Sequence, residues 1–213
     1  MKNLWFILLF VLVASRGVDA DDKDPNDPNG LFWAKWDAVV KDPNDPNELL
    51  WAKWDAVTKV LQSEDLDQKV KEKVIDKIVS PIFDFTLMGK LALGRTHWPK
   101  LTHPQRERFI RLFAKRLKDS YREKISLYTD EKALLNPAIR KEKAIFIPMQ
   151  LVSKDKKIDM LYKLRKVDNR WKIYDVEIQG VSIILTYRSQ FNDILSKGTV
   201  EDILSQLEKP TTR

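Results

Sequence analysis

The chain has 213 residues, no cysteine, two histidines, and 38 Lys and Arg against 31 Asp and Glu. That composition excludes disulfide scaffolds, thiolate metal sites and cysteine nucleophiles, and nearly excludes a metal site built on several histidines. With 43% hydrophobic residues it suits one folded domain, neither a disordered tail nor a multi-span membrane protein, and its net charge of +7 calls for an anionic partner without choosing one.

The N-terminus narrows that choice. Lys2 precedes eleven unbroken apolar residues, Leu4 to Ala14, and Val18-Asp19-Ala20 places small residues at an A-x-A-like cleavage site. The run is well short of the ~20 residues a spanning helix needs. Residues 1–20 therefore read as a secretory signal peptide, with the mature chain starting at Asp21. Export argues against genomic DNA or RNA as the partner.

A tandem repeat follows. Asp24 to Lys41 and Asp42 to Lys59 match with a period of 18, differing only at Gly30/Glu48, Phe32/Leu50 and Val40/Thr58. Eighteen residues is about five helical turns, so equivalent side chains share a helix face. Trp51, Trp54 and Thr58, like Trp33, Trp36 and Val40, follow i, i+3, i+7 spacing. Pro43 and Pro46 separate the two helices, and Asp or Asn caps each start. The first copy reads as an appendage over residues 21–47, and the second as the start of a domain over 48–209. An interfacial helix seating its tryptophans among lipid headgroups is an alternative. The Asp and Asn residues suggest Ca²⁺ ligands less well than they suggest caps, since no bidentate Glu accompanies them.

Helices are predicted over Leu49 to Gln62, Leu66 to Val79 and Phe83 to Leu93, the last stopped by Gly94. Thr102 and Gln105 form a capping box for a long helix. Its apolar stripe runs through Phe109, Leu112, Phe113, Leu117, Tyr121, Ile125 and Tyr128, and Arg106, Arg108, Arg111, Lys115, Lys118 and Arg122 occupy most of the rest. After residue 130 the period changes to two. Ala144 to Val152, Ile158 to Arg165 and Arg170 to Gln179 read as strands, with a further one near Glu131 to Leu135. Turns fall at Ser153-Lys154-Asp155 and Asp168-Asn169. Pro148 removes a ladder donor and implies an edge or a bulge. Gly180 ends the sheet, a helix follows over Val181 to Lys197, and Thr199 with Asp202 caps a last helix to Lys209.

The order of elements predicts an α+β fold: a curved antiparallel sheet of about four strands with N-terminal and C-terminal helices on one face, a cone-like arrangement able to enclose an apolar pocket. The helix stripes supply Phe85, Met88, Leu91, Phe113, Leu117 and Tyr121 as candidate lining, and the strand faces supply Ile147, Met149, Met160, Tyr162, Val176 and Ile178. Arg106, Arg111, Lys115 and Lys118 are candidates for a basic face toward partners or anionic headgroups. Phosphate-binding and dinucleotide motifs are absent, and Ser182 lacks the G-x-S-x-G frame. Asp175 is the best lone candidate for a general base, with Tyr121 or Tyr174 as an acid–base partner in an isomerase or dehydratase. Its simpler role is a structural carboxylate held by a Lys, an Arg or a backbone group. A plain interaction module docking through the basic helix is a third reading.

Blocks in a fixed order carry a resemblance. Phe83-Asp84-Phe85-Thr86-Leu87-Met88, Leu91-Ala92-Leu93-Gly94-Arg95, Trp98, and Leu101-Thr102 with Gln105-Arg106 and Phe109 come first. Trp171-Lys172-Ile173-Tyr174-Asp175-Val176, Gly180-Val181-Ser182 and Tyr187-Arg188-Ser189-Gln190-Phe191 follow. From Leu61 to Lys209 the chain resembles the MlaC-type periplasmic phospholipid-binding proteins, also called toluene-tolerance auxiliary proteins. The N-terminal repeat and Pro148 depart from that pattern. The resemblance implies a non-enzymatic, soluble, monomeric carrier in the periplasm of a Gram-negative bacterium. Such a carrier holds a diacyl glycerophospholipid as cargo, tails inside, and needs no cofactor and no metal. The implied partners are an inner-membrane ABC transporter complex with an MCE-domain protein and an outer-membrane lipoprotein–porin complex, in the pathway that maintains outer-membrane lipid asymmetry.

Overall fold

The computed structural model describes residues 44–125, 132–153 and 156–210, with backbone alone for residues 121–125 and Lys156. The expected signal peptide, the first repeat copy, Tyr128, Glu131 and the Lys154-Asp155 part of a predicted turn lie outside the described residues. Among the described residues no helix is long and apolar enough to cross a membrane.

The second repeat copy forms helix α1, Pro46–Gln62. Asp45 caps it, accepting from the amides of Asn47 at 2.8 Å and Glu48 at 3.1 Å, and Pro46 sits in the first turn, where its missing N–H costs nothing. The buried stripe is Leu49, Leu50, Lys53, Trp54, Val57 and Val60, which sets the i, i+3, i+7 reading aside in one respect: Trp51 is 49% exposed. The aliphatic residues at positions 49, 50 and 57, together with Trp54, outweigh the outer tryptophan in fixing which face turns inward. The Trp171 indole N–H donates to the Asn44 carbonyl at 2.8 Å, so the entry to α1 is tied to the sheet.

Deleting residues 24–41 is expected to leave stability within about 0.5 kcal/mol, since Asp45 and the whole buried stripe of α1 lie downstream. A thermal melt checks this. A large fall in melting temperature would show that the first copy belongs to the body.

Helix α2 spans Gln68–Val79 with Asp67 as its cap, and a 3-10 turn, Ser80–Ile82, leads to α3, Phe85–His97. Gly94 interrupts α3 with φ 74° and ψ 174°, a left-handed conformation that a side chain would strain, so the expected stop becomes a kink. Gly89 has another role. A Cβ there would lie 3.1 Å from the Phe109 ring, so the bare glycine lets α3 press against α4, His103–Ile125. The Thr102–Gln105 capping box is present, with the Thr102 amide 3.0 Å from Gln105 Oε1.

Strands β1, Lys132–Leu135; β2, Ile139–Arg140; β3, Ile145–Ser153; β4, Lys156–Val167; β5, Arg170–Ile178; and β6, Val181–Ser182 form one antiparallel sheet ordered β1-β3-β4-β5-β6, with β2 also on β3. Both added strands are two residues long, too short to show a period. Asp168 and Asn169, at φ 49° and 61°, make the expected two-residue turn of the β4–β5 hairpin. Gln179 and Gly180, at 49° and 77°, make another, so Gly180 turns the chain back as β6 rather than ending the sheet.

Pro148 lies in β3, which has strands on both sides, not at the edge its sequence suggests. Its carbonyl accepts from Asn136 at 2.9 Å, so its nitrogen faces the same neighbour, at the break between β1, ending at Leu135, and β2, starting at Ile139. The missing donor thus falls one position past the end of the β1 ladder, opposite Asn136. The sheet's irregularity is elsewhere. Lys163 pairs with Asp175 but Leu164 pairs with Ile173, leaving Tyr174 as the extra residue of a bulge in β5.

Two C-terminal helices complete the fold: α5, Ile183–Leu195, and α6, Val200–Glu208, the latter with the expected Thr199–Asp202 capping box. Alternate strand residues and the helix stripes merge into one apolar core.

Candidate functional site

Of the predicted lining, Met88, Phe113, Leu117, Ile147, Met149, Met160, Tyr162, Val176 and Ile178 are all buried in that core. Phe85 and Leu91 are half-buried at its margin. The side chain of Tyr121 lies outside the described residues. Across the sheet Ile147 pairs with Tyr162 and Tyr162 with Val176, while Met149 pairs with Met160 and Met160 with Ile178. Two rows of three therefore line one face of β3, β4 and β5. Phe113 links α4 to α5 through ring contacts with Tyr187 and Phe191 at 5.1 and 5.9 Å. Phe109, stacked on Phe113 at 5.6 Å, belongs with this group. Its place four residues before Phe113 on the same stripe is the signal that would have added it to the site.

A depression of about 400 Å³ is bordered by Asn136, Pro148, Gln150, Asp159, Leu161 and Glu177 of the opposite face, with Gly180 and the two candidates Met149 and Met160 also at its wall. Being open to solvent, it does not enclose long apolar chains.

The four candidates for a basic face divide. Arg111 and Lys115 are exposed on α4, Lys115 pairing with Asp119 one turn on. Arg106 lies against the Trp98 ring, 5.4 Å from its centroid, and donates to the Pro99 carbonyl at 3.1 Å. Lys118 is 12% exposed, 3.1 Å from Asp76 on α2, and over the Phe85 ring. Two neighbouring cations have internal tasks too: Arg108 holds Glu201 and Glu208 at 3.0 and 2.8 Å, and Arg116 donates to the Gln206 and Lys209 carbonyls at the end of α6. Much of the charge on α4 thus fastens helices.

Asp175 has its structural role. It is 5% exposed, accepts from Ser182 Oγ at 2.8 and 3.0 Å and from the Ile184 amide at 3.3 Å, and pairs with Lys163 at 3.1 Å. Ser182 Oγ in turn accepts from the Leu185 amide at 3.0 Å and caps α5. Burial alone would lower the Lys163 pKa, but its hydrogen bonds to Glu177 and Asp175 outweigh that and raise it above the usual lysine range. Burial raises the Tyr174 pKa, which ill suits a phenolate base.

Asp84 makes a matching tie. It caps α3 through the Leu87 amide at 2.9 Å, receives Arg165 of β4 at 2.7 Å, and its own amide donates to Ile173 at 2.8 Å. Arg188 of α5 donates to the Leu91 carbonyl at 2.8 Å, beside the Gly94 kink. Asp84, Asp175, Ser182 and Arg188, four of the residues that carried the resemblance, thus help fasten α3 and α5 to the sheet and to each other.

A family model described as "MlaC protein" matches residues 52–209. The chain belongs to the MlaC family. The match reaches back from Leu61 into α1 and takes in every strand of the described residues, leaving the first repeat copy outside. A solved structure of a phospholipid-binding protein from Ralstonia solanacearum, in complex with a phospholipid, shares this MlaC fold. It is 22% identical, with a TM-score of 0.64, and the likeness covers 71% of this chain and 88% of that one. Among the described residues of this MlaC-family chain, no group of three or more His, Asp or Glu could hold a metal ion.

Proposed function

We propose that this MlaC-family protein is a soluble phospholipid carrier of the periplasm, released from its signal peptide after Ala20. It carries a diacyl glycerophospholipid between an inner-membrane ABC transporter complex with an MCE-domain protein and an outer-membrane lipoprotein–porin complex. The reading rests most on one observation: nine of the apolar lining candidates, from two rows of the sheet and from α3 and α4, meet in one buried cluster. Family membership points the same way.

The physics requires such an interior. Withdrawing two acyl chains from a bilayer exposes about 30 methylenes at ~0.8 kcal/mol each, roughly 24 kcal/mol in all. No open surface depression offsets that. The tails must be enclosed, and loading or release needs a partner that parts the sheet from the helices. Arg111 and Lys115 are the exposed cations of the predicted basic face that such a partner, or an anionic headgroup, would meet.

Organic extraction and native mass spectrometry of the purified protein test the proposal. One phospholipid per chain is the expected result. A lipid-free protein that turns over a small substrate would overturn it in favour of an isomerase or dehydratase.

A further inference from the structure

Tyr162 stands at the centre of the inner sheet face, between Ile147 on β3 and Val176 on β5, and is 2% exposed. Its hydroxyl is buried without a hydrogen-bond partner. A phenylalanine would fill the same space and leave no donor stranded. Along β4 the same face continues with Met160 and Leu164, both buried and apolar. Of the cations of β4, Lys163 and Arg165 are on the other face, engaged with Asp175, Glu177 and Asp84, while Lys166, which shares the parity of Tyr162, is exposed at the strand end over the Trp171 ring.

We infer that the Tyr162 hydroxyl is the hydrogen-bond donor for an acyl ester carbonyl of the bound lipid, an inference that rests on the carrier reading above. The chemistry of the surroundings selects that group. The partner must accept a hydrogen bond and belong to a largely apolar molecule, because every other candidate on this face is a hydrocarbon or thioether side chain. It must also be uncharged, since among the described residues no buried cation stands on this sheet face, and Lys118, the near-buried cation of α4, is already paired with Asp76. An ester carbonyl satisfies all three conditions. Burial raises the phenol pKa well above its ordinary value, so the group stays protonated and donates. A lone polar group in an apolar pocket fixes the depth at which a ligand sits, and here it would set the glycerol backbone against the acyl tails.

The test is a competition. Delipidated protein is offered an equimolar mixture of ester-linked and ether-linked phosphatidylethanolamine with the same chains, and the bound lipids are counted by native mass spectrometry. Wild type is expected to take the ester form about fivefold over the ether form, the factor that one ordinary hydrogen bond supplies. Tyr162→Phe should bring that ratio to about one while the lipid-free protein melts no lower than wild type. Equal uptake of the two lipids by wild type would overturn the inference without any variant, and so would an ester preference that survives Tyr162→Phe. Uptake of neither lipid would overturn the carrier reading, and this inference with it.

Discussion

Asp175→Ala is expected to destabilise the protein by about 3 kcal/mol, because it strands buried groups rather than deleting one contact. The Ser182 hydroxyl and the Ile184 amide would lose their shared acceptor, and Lys163 would lose one of its two carboxylate partners, keeping Glu177. For a chain of this size that is a fall in melting temperature of roughly 6–12 °C. Asp175→Asn should cost less, since an amide oxygen still accepts from Ser182 and Ile184. Urea unfolding of the two variants measures the difference. A general base would give the reverse pattern, an alanine variant with unchanged melting that loses a turnover. An unaltered midpoint for Asp175→Ala would therefore remove the structural role assigned to this carboxylate.

Ile147→Trp is expected to purify with at least tenfold less phospholipid than wild type. Ile147 is fully buried, opposite Tyr162 in the middle of β3. If acyl tails occupy the space between sheet and helices, the indole takes their volume, and the lipid-free protein melts near the wild-type temperature. In an ordinary core the same change overpacks and costs about 1–3 kcal/mol, with lipid content untouched. Lipid content and melting temperature thus move in opposite patterns under the two outcomes. A destabilised variant that keeps its lipid would take Ile147 out of the site.

Features set by local chemistry were legible in the sequence. Asp45, Thr102 and Thr199 cap helices where side-chain spacing places them, and Asp168-Asn169 turns where two residues tolerant of positive φ stand together. Features set by distant partners were not. Nothing around Lys118 announces Asp76, 42 positions earlier, and nothing near Arg106 shows it lying along Trp98. Pro148 reads as an edge or bulge residue because the gap it faces lies in a neighbouring strand. Strand β6 was hidden because two residues carry no alternation. For the site, periodicity found the buried faces, since burial is what it encodes. It does not encode which buried faces meet across a pocket, and that is where the hydroxyl of Tyr162 differs from its aliphatic neighbours.

Helix α1 has a consequence at the level of the gene. Its buried residues Leu49, Trp54, Ala56 and Val57 recur as Leu31, Trp36, Ala38 and Val39, Phe32 stands for Leu50, and Asp27 repeats the cap at Asp45. Replication slippage that drops either unit still leaves a reading frame running from an aspartate cap through one complete apolar face into Val60-Leu61-Gln62. Val40 in place of Thr58 would even remove a hydroxyl that α1 now buries without a partner. Chains with one, two or three units would share the same α1, so unit number can drift between lineages while the sheet and its helices stay fixed.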